Sequence, residues 1–247
     1  MQDLRNFQKT QLNEFAQRIG SDVSTRPTQD VLVTPLQARQ VKLRHLNAGD
    51  LTQSDIDQLW QAVCAEPDAR CWTYLPYAGF SDRAALAASL IANFHFEGAV
   101  HYLIEVNHRV VGWVALLNPR AAHRAIEIGN VYFSRLMKQS TAATETIYLL
   151  LQHCFARGDR RVEWKCDELN LPSYRAALRY GFEYEGTFRQ DRIIKGHNRN
   201  TAWFSMLDEE WLTLQQAYQA WLAEDNFDQH GQQKLRLSDC IELYKRA

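Results

Sequence analysis

The chain reads as a mixed α/β fold of the α+β kind, with strands and helices around one sheet. Three observations predict this. Stretches alternating polar and apolar residues are interleaved with stretches of helical spacing. Residues 126–182 run strand, helix, strand, helix in close succession. A 247-residue chain that is 46% hydrophobic is ample for one core with appended ends.

Taken from the amino terminus, residues 1–37 form an arm. Leu4, Phe7, Leu12, Phe15 and Ile19 are spaced to line one side of a helix, and a polar, Pro-containing stretch continues through Pro35. A lone amphipathic helix of that length is marginal in water, so its apolar side is expected to pack on the body or a second subunit. ARQVKLRHL, residues 38–46, alternates as a strand. SDIDQLWQAVCAEP opens a helix with Ser54 as cap and stops at Pro67. A second helix, SDRAALAASLIANFHF, starts at Ser81. Between the two, ARCWTYLPYAGF crowds Trp72, Tyr74, Tyr77 and Phe80 into a connection that needs a wall to pack on.

HYLIEVNHRVVGWVALL, residues 101–117, is a hairpin about Asn107 and His108. AIEIGNVYF, residues 125–133, alternates and is rich in β-branched and aromatic types, as a strand with one buried face requires. Ala143, Ile147, Leu150, Leu151, Cys154 and Phe155 then follow helical spacing to a stop at Gly158. RVEWKC is the next strand. Asn170 caps a further helix with Pro172 in its first turn and Gly181 as the C-cap. EYEGTF and TAWFSM are the last strands, joined by the polar, basic loop RQDRIIKGHNRN. DEEWLTLQQAYQAWL is a helix, and residues 226–247 show no pattern beyond surface packing. The expected organisation is an arm over residues 1–37, a catalytic domain over 38–212 and a helical extension over 213–247. Apolar residues in the arm and in the helix from Trp211 to Trp221 suit a homodimer.

Composition excludes several classes. A net charge of −1 gives no bulk attraction to nucleic acid or to an anionic membrane. No apolar run approaches about 18 residues, and the polar start MQDLRNFQKTQLNEF lacks a signal-peptide core, so a cytoplasmic location is expected. Cys64, Cys71, Cys154, Cys166 and Cys240 are far apart and odd in number, which implies reduced thiols and no metal site. Neither G-x-x-x-x-G-K-S/T nor G-x-G-x-x-G is present, so a nucleotide-phosphate enzyme is disfavoured.

The loop before the long helix carries the chemistry. Unpaired N–H groups and the positive end of the helix dipole favour an anion such as a pyrophosphate at residues 138–141, and Lys138 adds a charge. Ser140 and Thr141 read equally as ordinary caps. Asn170 and Ser173 lie at the start of the next helix, where they either cap it or reach a ligand held between the two helices.

With EIG at residues 127–129, ATE at 143–145, Asn170 with Ser173, and GF at 181–182, the chain resembles the GNAT superfamily of N-acetyltransferases. The similarity is strongest to the branch of ribosomal-protein serine and alanine acetyltransferases, and it covers roughly residues 38–212. It implies a central twisted, mostly antiparallel sheet with a splayed parallel pair and helices on both faces. It implies acetyl-CoA as co-substrate, lying along Val131, Tyr132 and Phe133 to Lys138, Gln139, Ser140, Thr141, Ala142, Ala143 and Thr144, with Asn170 and Ser173 alongside. One position departs from the family pattern: the central loop glycine is Thr141, so either that residue keeps an ordinary helical-turn geometry or the phosphate sits slightly further out.

The resemblance also assigns roles. Glu127, on the cofactor strand, becomes the base that takes a proton from a primary amine, directly or through one water; without the resemblance it reads as an outward strand glutamate. Ser173 becomes the acid for the leaving thiolate. A Tyr that serves many relatives one turn further along is Ala177 here. Oxyanion donors would be backbone N–H groups where the strand splays near residues 130–132. Trp72, Tyr74 and Tyr77 become candidates for lining the acceptor pocket, where aromatic faces also suit a cation, or they plug the core edge. Arg189, Arg192, Lys195, His197 and Arg199 make the last hairpin cationic, as a solvated tip or as a site for an acidic acceptor or the cofactor phosphates. The acceptor is a small-molecule or peptide amine. A longer-chain acyl-CoA transferase and a non-catalytic acyl-CoA-binding protein remain the alternatives.

Overall fold

The computed structural model describes residues 10–29, 35–47, 49–92 and 98–246. Two short strands open it, β1 (Thr10–Leu12) and β2 (Arg18–Gly20), paired antiparallel as an isolated hairpin. A helix is the expectation here, but a turn closed by the Asn13 side chain on the Phe15 and Gln17 amides wins over the spacing of Leu12, Phe15 and Ile19. Those three side chains are exposed. Leu4 and Phe7 lie outside the described residues. The segment after the hairpin is tied down at its end, where Arg157 donates from Nε and Nη2 to the Gln29 carbonyl at 3.1 and 2.8 Å.

The body follows as β3 (Leu36–Gln37), β4 (Val41–His45), α1 (Gln53–Cys64), α2 (Arg83–Ala92), β5 (Val100–Val106), β6 (Arg109–Arg120), β7 (Ala125–Phe133), α3 (Thr141–Ala156), β8 (Arg161–Asp167), α4 (Leu171–Arg179), β9 (Glu183–Ile194), β10 (His197–Leu207), α5 (Asp208–Leu222) and α6 (Leu237–Arg246). Eight strands form one sheet in the order β3-β4-β5-β6-β7-β8-β10-β9. Every pairing is antiparallel except β7 with β8. The two-residue turn between β5 and β6 places Asn107 and His108 at positive φ, as the right-handed strand twist demands.

Side chains alternate between two apolar clusters. Ile104, Val114, Ile128 and Val162 meet α3, α5 and α6 on one face, while Leu103, Val110, Trp113 and Tyr132 meet α1 and α2 on the other. Helix α1 is capped by Thr52 with Asp55, a reciprocal capping box, so its start lies before the Ser54 anticipated from sequence. The polar stretch 189–200 is paired strand rather than loop, turning at Lys195 and Gly196. Bonding along the ladder outweighs its low apolar content.

The carboxyl end belongs to the core. Trp211, Leu214, Tyr218 and Trp221 of α5 and Leu237, Cys240 and Ile241 of α6 are buried against α3 and the α4–β9 turn, so the last residues do more than cover surface. Residues 213–222 continue the helix that starts at Asp208. Gly181, at φ +90, terminates α4; a Cβ there would sit 3.0 Å from Leu214 Cδ2 and 3.3 Å from Ile241 Cδ1.

Two expectations follow. Gly181→Ala should lower stability by about 1–3 kcal/mol through the left-handed strain, with more from the Leu214 contact, read as the urea midpoint. Asp159, 3.5 Å from Arg157, is lifted by burial from 3.8 to about 6 despite that guanidinium. The folded chain therefore holds this proton more tightly than the unfolded one. The carboxyl's contribution is present below about pH 4 and is lost as pH rises through about 6. Asp159→Asn should flatten the stability profile across that window relative to the unsubstituted protein, measured by urea unfolding at each pH.

Candidate active site

Strands β7 and β8 stay in register only through Ala125–Arg161, Ile126–Val162, Glu127–Glu163 and Ile128–Trp164, and then part. At the same level β7 bulges. The β6 register skips between Trp113 and Ala115, leaving Asn130 and Val131 without a partner on that strand, and Asn130 takes φ 44. The bulge is held from the side: Tyr77 donates its hydroxyl to Asn130 Oδ1 at 3.0 Å, and Asn130 Nδ2 is 3.0 Å from His101 Nε2. Freed backbone thus lies beside the gap between the two strands.

A cleft of about 1760 Å³ opens along this gap. It is lined by Glu127, Gly129, Val131, Tyr132 and Phe133 of β7 and by Lys138, Gln139, Ser140, Thr141, Ala143 and Thr144 of the following loop and helix. Asn170, Ser173 and Tyr74 complete the set foreseen from sequence. Ala142 is not on the wall, because its side chain is 1% exposed in the core.

The loop is a compact turn. Ser134 accepts at its carbonyl from the Met137 and Lys138 amides at 3.0 Å each, and buried Met137 anchors it. Gln139 adopts φ 60, whereas Thr141 keeps helical geometry as the first residue of α3. The conformation for which a glycine would be suited thus falls two residues earlier than anticipated. Ser140 does not cap: its hydroxyl turns back to the Met137 carbonyl at 2.6 Å, so no side chain of the cap residue satisfies the first-turn N–H groups. Thr141 accepts from Gln40, and Thr144 from Arg179 at 3.0 Å, which fixes the helix start to β3–β4 and to α4. Lys138 is engaged by Glu66 at 3.2 Å; Glu66 also accepts the Arg135 amide at 2.8 Å.

Glu127 is not an outward strand residue. It is 7% exposed, and its Oε2 accepts from Asn118 Nδ2 at 2.7 Å and Lys165 Nζ at 2.9 Å, while Oε1 takes no hydrogen bond among the described residues. Gly129 makes room: a Cβ there would stand 2.6 Å from Leu117 Cδ1 and 3.2 Å from Glu127 Oε1. Lys165 is also 3.1 Å from Glu163 and 3.9 Å from the Trp203 ring centroid. Burial pushes Glu163 up, but Arg120, Arg161 and Lys165 overcome it and hold the carboxyl at about 2. Lys165 and Asn118 escaped the sequence reading; the only signal was the polar parity of residues 163, 165 and 167 in an otherwise apolar strand.

Ser173 accepts from Trp164 Nε1 at 3.0 Å and does not bond its own backbone. Asn170 acts as the cap, accepting the Ser173 amide at 3.3 Å, and lines the cleft as well. Ala177 is buried, Tyr174 packs at a tilt against Tyr184 and edge-on against Phe204, and burial lifts the Tyr180 phenol to about 12. Burial also raises the Cys166 thiol, only partly offset by a bond to Ser173.

Two of the three aromatic candidates, Trp72 and Tyr77, do not line the cleft. Trp72 is 5% exposed and stacks on Tyr132 at 4.7 Å, inside the cluster beneath α1 and α2. Tyr77 accepts from Trp113 Nε1 at 2.9 Å and braces Asn130 from behind, away from the cleft wall. Burying aromatic area outweighs leaving it to solvent. Tyr74 alone of the three faces the cleft, with its hydroxyl on the Leu169 carbonyl at 3.0 Å. Among the described residues no group of side chains is arranged to hold a metal ion, and no helix is long and apolar enough to cross a membrane.

A parted parallel strand pair with an uncapped helix start beyond it can be compared with known proteins. The family model for the acetyltransferase (GNAT) domain matches residues 45–183. A GCN5-related N-acetyltransferase from Brucella melitensis is 38% identical and superposes with a TM-score of 0.82 over 88% of this chain and 98% of its own. A probable GNAT-family acetyltransferase from Chromobacterium violaceum is 34% identical, with a TM-score of 0.68 over 75% of this chain and 92% of that one. The Salmonella typhimurium acetyl transferase that modifies the N-terminal serine of 50S ribosomal subunit protein L7/L12 shares the fold at 21% identity and a TM-score of 0.57, over 69% of this chain and 96% of its own. No curated protein matches the sequence. The family match spans more than half of the chain and agrees with the splayed strands and the helices on both faces: the protein belongs to the GNAT family of acetyltransferases and is an acyltransferase.

Proposed function

We propose that the protein transfers an acetyl group from acetyl-CoA to a primary amine by direct attack, with Glu127 as general base and Ser173 as general acid. The observation that carries this reading is the alignment in one cleft of an uncapped helix start, a bulged strand and a carboxylate with one unbonded oxygen. The residues fit the co-substrate. The first-turn amides of α3 suit a pyrophosphate, and Arg179 brings positive charge to the same corner, where the charge of Lys138 is offset by its pairing with Glu66. The backbone freed at Asn130 and Val131 suits both a strand-like amide partner and a developing oxyanion.

Acetyl-CoA supplies an activated thioester. Glu127 Oε1 takes the proton that the amine must shed, while Asn118 and Lys165 fix the carboxylate through Oε2. As the carbon–sulfur bond breaks, the Ser173 hydroxyl passes its proton to the departing sulfur and is reprotonated through solvent with the proton that Glu127 took from the amine, which regenerates both groups. The indole N–H of Trp164, donating to Oγ, orients that hydroxyl and draws electron density from it. Tyr174 is withdrawn into ring contacts, and Tyr180, which touches the cleft just beyond the end of α4, is buried against Trp164 with its phenol raised by burial, so Ser173 is the hydroxyl within α4 on the cleft wall. Buried Cys166, with its thiol raised, does not favour an acyl-enzyme route.

Release of free CoA measured across an amine library, with acetyl-CoA as donor, is the deciding assay: turnover of at least one amine supports the reading, and none across the library overturns it. Glu127→Gln should lower kcat by ~10²–10⁴ with little change in acetyl-CoA affinity. Thr141→Glu should do the reverse, weakening acetyl-CoA binding by placing a charge at the anion corner. Calorimetric titration beside the kinetics separates the two, and exchanged phenotypes would overturn the assignment of roles.

A further inference from the structure

The sheet face that carries Glu127 continues past it to a pair of cations. Cross-strand partners in an antiparallel sheet point to the same side. Lys165 stands opposite Trp203 and Asp167 opposite Thr201, and two residues further along β10 Arg199 stands opposite Arg192. Arg192 and Arg199 line the same cleft as Glu127. Like charges placed directly opposite each other repel, so this pairing costs the hairpin stability unless an anion joins it.

The anions already nearby do not saturate the pair. Asp191 lies 3.5 Å from Arg192 Nε, and Asp167 accepts the Leu169 amide at 2.9 Å. Arg199 donates from Nε to Thr201 Oγ1 at 3.1 Å and makes no other hydrogen bond or ion pair among the described residues. It is only partly exposed, and burial together with the Arg192 charge holds its guanidinium below the ordinary value, with the Asp167 and Asp191 carboxylates and Cys166 offsetting them only in part. Its two terminal nitrogens are therefore unpaired donors in the fork geometry that matches a carboxylate. The hairpin presenting them is fixed, because Lys195 Nζ donates to the Trp72 carbonyl at 2.8 Å and pins the tip to the connection between α1 and α2.

Arg199 lies four positions along β10 from Trp203, the residue over which Lys165 sits, a backbone separation of roughly 13 Å at about 3.3 Å per residue, so the pair stands beyond Lys165 on the Glu127 side of the cleft.

We propose that Arg199 and Arg192 bind a carboxylate of the acceptor remote from its reacting amine, for which short peptides with an acidic side chain serve as probes. This rests on the reading of Glu127 as the base for an amine. The test is steady-state CoA release from acetyl-CoA with three peptides that share an N-terminal alanine and carry Asp, Gln or Lys at positions two to four. The expected result is a kcat/KM for the Asp peptide about 10-fold or more above that for the Gln peptide, expressed in KM. Arg199→Gln should remove that preference, and Arg199→Glu should transfer it to the Lys peptide, a switch that a merely structural role would not produce. Arg192→Gln, with its side chain 56% exposed, provides a second variant that folding should tolerate and should act in the same direction as Arg199→Gln. Equal turnover of all three peptides, or an Arg199→Gln loss shared evenly among them, overturns the carboxylate site and leaves acetyl transfer standing. If neither the peptides nor a library of simple amines is turned over, the acetyl-transfer reading fails and this inference fails with it.

Discussion

Parallel strands β7 and β8 hold register for four residue pairs and no further, and the rest of the site depends on that failure of pairing. A buried sheet normally satisfies all its backbone groups internally. Here the ladder opens at Ile128 and Trp164, next to a bulge that frees Asn130 and Val131, and the groups so exposed face a cleft instead of a neighbouring strand. The opening is maintained from outside. His101 and Tyr77 grip the Asn130 side chain, Tyr77 is gripped by Trp113, and Trp113 packs against Trp72 and Tyr132 under α1 and α2. The second hydrophobic cluster thus acts as a buttress for a strained strand, and this is why the aromatic connection after α1 is built as it is.

The carboxylate follows the same logic. Glu127 sits on the last paired stretch of β7, so its backbone is rigid where the strands still bond, and its side chain reaches the opening. Around it Lys165, Glu163, Arg120, Arg161 and Glu185 alternate in sign, a network that keeps several buried charges mutually compensated. Lys165 is the one cation paired with Glu127, so its removal leaves that carboxylate buried without a counter-charge, which ties the position of the carboxylate to the network.

Much of this was legible in the chain because local rules governed it. Alternation marked β7 to the residue, Asn107 and His108 marked a turn whose φ values only certain residues accept, and Asn170 with Gly181 bracketed α4. What stayed hidden was decided by tertiary contacts. The spacing of Leu12, Phe15 and Ile19 fits a helix, yet a side-chain bond from Asn13 closes a turn there. Residues 189–200 look like a solvated loop because ladder bonding is blind to side-chain polarity. Trp72 and Tyr77 carry the same aromatic chemistry as Tyr74, and only packing decides which of the three faces solvent. Lys165 offered nothing beyond its parity in the strand, since the partner that gives it meaning, Glu127, is 38 positions away.

The clamp on the amino-terminal segment has a consequence of its own. Arg157 seizes residue 29 by its carbonyl oxygen, an atom common to all twenty amino acids. Substituting the side chain there leaves the grip intact, so the linker is free to drift in composition while its exit path from the body stays the same. The mooring is written mainly at positions 157 and 159, far along the chain, and the tether adds to it only the Thr28 hydroxyl, 3.4 Å from Arg157 Nη2.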